Sequence, residues 1–232
     1  AAQAVSFDED SLLPARERRR ASRGDRMGLR AALEAIGDAG LVMAGVDPLR
    51  AGVVLGGGGG GLLQAEDYLR AATVRRRPRP SSVLGFFPAT PADRIASRLG
   101  CRGTVTTIMN ACSSATIAIG LGAGLVASGD LDVVLAGGVE TLSRTTFAGF
   151  NALRLVDPDP CRPFDRTRRG MSLGECAAFM VLEETAAALS RGARVLAEVA
   201  GCGMSADAYH MTAPDPSGDG LARSMKAALA AA

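Results

Sequence analysis

Thr104-Val105-Thr106-Thr107-Ile108-Met109 runs into Asn110-Ala111-Cys112-Ser113-Ser114, and Ala115 to Ser128 follows without a charged residue. The first six residues are rich in β-branched side chains and read as a strand. The stretch from Ala115 to Ser128 is small and apolar, which predicts a helix buried on nearly all sides. Between the two, a short turn at Asn110-Ala111 leaves Cys112 at the mouth of the helix. A thiol there faces free N–H groups and the positive end of the helix dipole. That setting favours thiolate, the reactive form. The same N–H groups can hold the oxyanion of a tetrahedral thioester intermediate. Ser113, Ser114 and Ala115 are small, so a substrate can approach closely. These residues support a strand–elbow–helix nucleophile. They equally allow a small buried cysteine with no chemistry, and they do not name a reaction.

Working outward, Val53-Val54-Leu55 is a short apolar strand that ends in six glycines, and Leu131 to Ala136 is another, followed by Gly137-Gly138. Phe179 to Glu183 and Val195 to Gly201 also read as strands. Residues 13–38 read as one helix, with Met27, Leu29, Ala32, Leu33 and Ile36 as its apolar stripe and Gly40 as its stop. Residues 62–72 and Pro91 to Leu99 are further helices, the latter with Pro in its first turn. Arg75 to Pro80 is a basic, proline-rich loop. Strands alternate with helices, so the class is α/β with a layered sheet.

Composition narrows the function classes. The 232 residues are 47% hydrophobic, enough for one sizeable core. A net charge of +2 gives no global field toward nucleic acid or membrane, so an anionic partner must meet a local basic patch. No apolar run approaches the ~18–20 residues of a membrane span, and the polar, basic start has no secretory pattern; a soluble cytoplasmic protein is expected. Cys101, Cys112, Cys161, Cys176 and Cys202 are odd in number and form no C-x-x-C pair, which argues against a disulfide framework or zinc knuckle. The only histidine is His210. Gly56 to Gly61 satisfies a dinucleotide-binding G-x-G-x-x-G, but six glycines satisfy almost any glycine pattern. The acidic ribose partner expected about 20 residues on is absent. Close backbone packing is the better reading of these glycines.

Several blocks, in order along the chain, carry a resemblance. Asn110-Ala111-Cys112-Ser113-Ser114-Ala115-Thr116-Ile117-Ala118-Ile119-Gly120 resembles the active-site segment of the β-ketoacyl-acyl carrier protein synthases, condensing enzymes of the thiolase superfamily. Phe86-Phe87-Pro88-Ala89-Thr90, Leu135 to Glu140, Cys161-Arg162-Pro163-Phe164-Asp165 with Gly174-Glu175 and Val181 to Glu184, and Asp207 to Thr212 resemble further blocks. The subgroup it most resembles is the long-chain elongating synthases of dissociated, bacterial-type fatty acid or polyketide pathways. The implied fold is a thiolase-like layered α/β/α/β/α arrangement, of which this chain holds mostly the N-terminal half. Residues 1–193 would be that half, incomplete at its start, and 194–232 the opening of the C-terminal half. The chain reads as a fragment, since full-length members are nearly twice as long.

The resemblance implies that Cys112 accepts the growing acyl chain from acyl carrier protein as a thioester. A malonyl-carrier enolate then attacks it in a decarboxylative Claisen condensation. It implies no cofactor and no metal. Two histidines and a lysine of the second half would support the enolate, and His210 is neither of them: it falls in a mobile loop near the pocket mouth. Phe150 matches a position lining the acyl pocket, against the plain alternative of a core Phe. Gly59 matches a position where relatives often carry a larger side chain, so a roomy pocket for medium to long chains is expected. Arg16, Arg19, Arg20 and Arg154 match basic positions used against acidic carrier protein, where a cationic rim raises the on-rate; the alternative is a solvated face. Relatives are homodimers. The sequence departs from the pattern at Ala115 and Cys176, where Gly is usual, at Arg169, where Asp is common, and at Asp93, where Asn is. Two other readings compete. A silent synthase-like partner subunit is opposed by the presence of Cys112. A thiolase or chalcone-synthase-type relative is opposed by the Cys161–Asp165 and Asp207–His210 blocks.

Overall fold

The structure is a computed structural model that describes residues 2–4, 12–57, 60–74, 77, 80–211 and 213–232. It divides into two compact units, Ala1–Glu184 and Thr185–Ala232. In chain order the first holds α1 (Ala15–Arg18), α2 (Arg23–Asp38), β1 (Ala51–Gly56), α3 (Leu62–Thr73), α4 (Ser81–Leu84), α5 (Thr90–Leu99), β2 (Val105–Ile108), α6 (Ser114–Ala127), β3 (Val133–Glu140), α7 (Arg144–Ala152) and β4 (Cys176–Glu183). The second holds α8 (Thr185–Ser190) and α9 (Asp219–Ala231).

The sheet order is β2-β1-β3-β4. The first three strands are parallel, with Val53 opposite Val105 on one side and Leu135 on the other, and β4 runs antiparallel, with Val181 opposite Leu135. Strands β1 and β3 are central and covered on both faces, which is why they read as unbroken apolar runs. Alternation along β1 separates two cores. Val53 and Leu55 join Leu29 and Ala32 of α2 and Ala92, Ile95 and Ala96 of α5. Val54 turns the other way and joins Ala118 of α6 with Val134 and Ala136. Leu29 and Ile95 are wholly buried, each worth about 1.5–3 kcal/mol over an exposed side chain.

Four expectations need correction. Residues 13–38 do not form one helix. The backbone leaves α1 at Arg19, and Ser22 restarts it as α2: its side chain accepts the Asp25 N–H at 2.9 Å while Asp25 accepts the Ser22 N–H at 2.7 Å. This reciprocal capping box satisfies two otherwise orphan donors, so the new start outweighs continuation. Strand β3 does not stop at Ala136 but continues through Gly137-Gly138 to Glu140, because β4 supplies ladder partners as far as Cys176. Helix α6 is buried along one line only, Ser114, Ala118 and Gly122, while Thr116, Leu121 and Gly124 are exposed. One sheet face covers one stripe of a helix. Val195 to Gly201 is not a strand, since no described strand offers it a ladder. The segment lies against α9 instead: a Cβ on Gly201 would come within 2.3 Å of the Ala228 carbonyl oxygen.

One buried ion pair ties the first unit together. The Glu175 side chain is 1% exposed and receives Arg23 Nε at 3.0 Å and 3.1 Å on its two oxygens. It also accepts the N–H groups of Ala4 and Leu142. Burial pushes this carboxyl up, but the Arg23 hydrogen bonds and charge outweigh it, so it ionises below the ordinary glutamate range. The start of β4, the loop after β3 and the start of α2 therefore meet at one carboxylate.

Candidate active site

Strand β2 ends at Ile108, and a single 3₁₀ turn, Ala111–Ser113, leads into α6. Ala111 takes a left-handed φ of 47°, which costs a residue with a Cβ on the order of 1–2 kcal/mol. That turn lifts Cys112 out of the strand direction and leaves it exposed just ahead of α6. Cys112 precedes the first turn of a 14-residue helix, the end at which a helix carries N–H groups without intrahelical partners, of which the Ser114 N–H is taken by the Ala111 carbonyl. The buried alternative therefore does not describe this cysteine; Cys101 comes nearer to it, half-buried against the first core with a thiol that burial pushes up.

The helix start sits on glycine. A Cβ on Gly56, at the end of β1, would lie 2.3 Å from both the Ala115 nitrogen and the Ser114 carbonyl carbon. A Cβ on Gly138 of β3 would lie 2.9 Å from the Ala115 side chain. Glycines at the end of β1 and inside β3 thus let the backbone carrying Cys112 settle onto the sheet. This is the close packing expected of the glycine run, shown here at Gly56.

The other candidates are placed as follows. Phe150 is half-buried on α7. Arg154 is exposed just past the end of α7, with a left-handed φ of 58°. Arg16 lies on α1 with Arg19 and Arg20 just after it, all three exposed. Gly59 lies outside the described residues. His210 belongs to the second unit, where its Nδ1 accepts the Ala213 N–H at 3.2 Å. Among the described residues no titratable side chain hydrogen-bonds Cys112, and no cluster of three His, Cys, Asp or Glu side chains could hold a metal ion. Two departures from the family pattern find an account. Cys176 fits because its side chain stands on an exposed stretch of β4 opposite Glu140. Arg169 pairs with Asp159 and lies 3.7 Å from the buried Asp157.

Sequence reasoning missed the group that seats α7. Glu66 of α3 accepts the Thr145 N–H at 2.7 Å and the Arg144 N–H at 3.2 Å, the free donors at the start of α7. Ser143 caps the same helix by accepting the Thr146 N–H. The Ser143 cap was readable from residue type; the Glu66 contact spans 79 positions and leaves no local signal. Burial pushes the Glu66 carboxyl up, but the hydrogen bonds from Thr145 and Arg144 prevail and hold it below the ordinary range. A carboxyl depressed by folding stabilises above its unfolded pKa and loses that contribution as pH falls through the folded value. Glu66→Gln is accordingly expected to cost about 1–2 kcal/mol at pH 7. The gap from the parent should close as pH drops below the usual carboxylate range, read by urea unfolding across that window. A gap that stays constant with pH would show that the charge on Glu66 contributes nothing.

The molecule is thus an α/β protein presenting a cysteine at a strand-to-helix elbow. The model of the family "Beta-ketoacyl synthase, N-terminal domain" matches residues 4–188, and the chain belongs to that family. It is 38% identical over 234 residues to 3-oxoacyl-[acyl-carrier-protein] synthase 2 of Vibrio cholerae serotype O1, covering 96% of this chain and 56% of the relative. It is 40% identical over 203 residues to Nodulation protein E of Rhizobium meliloti, covering 86% of this chain and 50% of the relative. The solved structure described as the ishigamide ketosynthase/chain length factor superposes with a TM-score of 0.91 at 30% identity, covering 99% of this chain and 57% of that one. The fold is thiolase-like, as these neighbours are, and the chain spans about half the length of the curated relatives it matches. Among the described residues no helix is long and apolar enough to cross a membrane.

Proposed function

We propose that this chain is the acyl-accepting part of a 3-oxoacyl-acyl carrier protein synthase acting in fatty acid or polyketide synthesis in the cytoplasm. The exposed Cys112 at the head of α6, inside the segment that matches the synthase family, carries the reading. The Cys112 thiolate attacks the carbonyl carbon of an acyl-carrier thioester. Its sulfur forms the new S–C bond, the α6 N–H groups receive the oxyanion, and the carrier thiolate leaves and takes a proton. In the whole protein the acyl group then passes to the enolate formed as malonyl-carrier loses CO2. That step needs the two histidines implied by the resemblance, and the single histidine of these 232 residues is the loop residue His210.

Phe150 lines the acyl pocket in this reading, with Gly59 leaving room for medium to long chains. The resemblance makes the His210 segment the loop that relatives keep near the pocket mouth. Arg16, Arg19, Arg20 and Arg154 form the rim that meets acidic carrier protein, supported by the exposure of all four. Residues 1–193 form the N-terminal half and 194–232 open the second. The full-length protein pairs as a homodimer, with pairing to a chain-length-factor-like subunit as the second arrangement, favoured by the likeness to a ketosynthase/chain length factor structure.

The test is to treat the protein at its full natural length with a medium-chain acyl-carrier thioester, or with cerulenin, and to map the adduct by mass spectrometry. One acyl group on Cys112 is expected. An adduct on Cys161 or Cys176 with Cys112 unmodified would overturn the assignment.

A further inference from the structure

We infer that Ser114 is the positioning residue that holds the elbow and so aims Cys112, an inference that rests on Cys112 being the acyl acceptor. Ser114 opens α6 and is only 4% exposed. A serine at the N-cap ordinarily reaches forward and accepts an N–H of the first turn; Ser114 stands one residue inside the cap, Ser113. The Ser114 side chain reaches backward. Its Oγ accepts the Asn110 N–H at 2.8 Å and donates to the Ala111 carbonyl oxygen at 2.8 Å. One hydroxyl therefore grips the backbone on both sides of Ala111, the residue whose left-handed φ turns the chain. Cys112 lies between the gripped carbonyl and the gripping side chain. Behind it, the Ser114 backbone is seated against Gly56.

The neighbouring serine sets the contrast. Ser113 is exposed, and its Oγ accepts from the Asn110 side-chain amide at 2.7 Å and donates to the Asn110 carbonyl oxygen at 3.0 Å. Those bonds lie in solvent, where water replaces them at little cost. Removing the Ser114 hydroxyl instead takes the Asn110 N–H's partner away beside a left-handed residue and leaves the Ala111 carbonyl only the Ser114 backbone N–H. Relaxation of Ala111 is the way to regain partners, and it would swing Cys112 off the helix N-terminus. An error of about 1 Å in a reacting atom is enough to cost roughly a hundredfold in rate.

The experiment compares Ser114→Ala, Ser114→Thr and Ser113→Ala with the parent, at full natural length. The probe is a medium-chain acyl-pantetheine thioester, and acyl-Cys112 is quantified by peptide mass against time and probe concentration. Ser114→Ala is expected to lower the saturating acylation rate at least tenfold while the half-saturating concentration moves by less than twofold. Ser114→Thr, which keeps the hydroxyl, should return to within threefold of the parent, and Ser113→Ala should stay there. Cys101, half-buried against the core, reports folding in the same samples through its protection from iodoacetamide. Parental acylation in Ser114→Ala would overturn the inference. So would an equal loss in Ser113→Ala, a threonine variant no better than alanine, or a loss that comes with exposure of Cys101, which would leave Ser114 a packing role alone. If the parent itself is acylated elsewhere or not at all, the functional reading fails rather than the role of Ser114.

Discussion

Cys112→Ala is expected to abolish acyl transfer from a carrier thioester, a fall on the order of a thousandfold or more, as for removal of a covalent nucleophile. The other thiols offer no substitute. Cys101 is half-buried against the first core. Cys161 sits in a loop where its N–H donates to Ser172 Oγ, and Cys176 stands on β4. Cys202 belongs to the second unit. None of these follows a strand-to-helix turn. Cys112→Ser should be almost as inert, because a hydroxyl without an adjacent base is a far weaker nucleophile than a thiolate near neutral pH. Cys112 is exposed, so both variants should unfold within about 0.5 kcal/mol of the parent. Mass mapping of acylated peptides alongside urea melts separates lost chemistry from lost fold. Retention of a tenth of the parental acylation would place the nucleophile elsewhere.

Sequence carried the parts of this fold that depend on neighbours along the chain. Val53 to Leu55 and Leu131 to Ala136 could be read as central strands because burial on both faces imposes an unbroken apolar run. The elbow was legible for the same reason: a β-branched strand, a two-residue turn and a small-residue helix are contiguous. What escaped depended on distant groups or on geometry that periodicity does not register. The apolar stripe of α2 runs through Met27, Leu29 and Ala32, and extending it backward hid the break at Ser22. The Ser22-x-x-Asp25 box was in plain sequence and marks that break. The continuation of β3 through Gly137-Gly138 depends on β4, some forty residues later, supplying partners. Glu66 caps α7 across 79 positions. Val195 to Gly201 has the residue types of a strand, but a strand exists only where another offers a ladder. Ser114 was seen as a small residue that lets substrate approach. Its backward hydrogen bonds follow from the left-handed Ala111, and residue type alone does not announce a left-handed alanine.

Gly56→Ala is the second change of large expected effect, and it separates seating of the nucleophile from the nucleophile itself. The added methyl would lie 2.3 Å from the Ala115 nitrogen and the Ser114 carbonyl carbon, and 2.5 Å from the Ala115 Cα. All three are backbone atoms at the start of α6, so no rotamer change relieves the clash. Either β1 or the head of α6 must move, at a cost of about 1–3 kcal/mol for overpacking. Strand β1 is hydrogen-bonded on both edges, to β2 and β3, whereas the head of α6 follows a turn; the helix is the part that yields. A displacement approaching 1 Å carries Cys112 with it and is expected to lower acylation roughly a hundredfold. Gly138→Ala should do less, because its methyl meets the Ala115 side chain at 2.9 Å and the Gly56 carbonyl oxygen at 3.1 Å, neither as close as the contacts of a methyl on Gly56. Gly124→Ala lies on the same helix with nothing within 4 Å of the new methyl. It should leave acylation unchanged and add up to about 1 kcal/mol of stability through helix propensity. Acylation rates and urea midpoints for the three variants therefore fall in the order of backbone clash, not of distance along the sequence from Cys112. Parental acylation in Gly56→Ala would mean that the head of α6 does not set the position of the thiol.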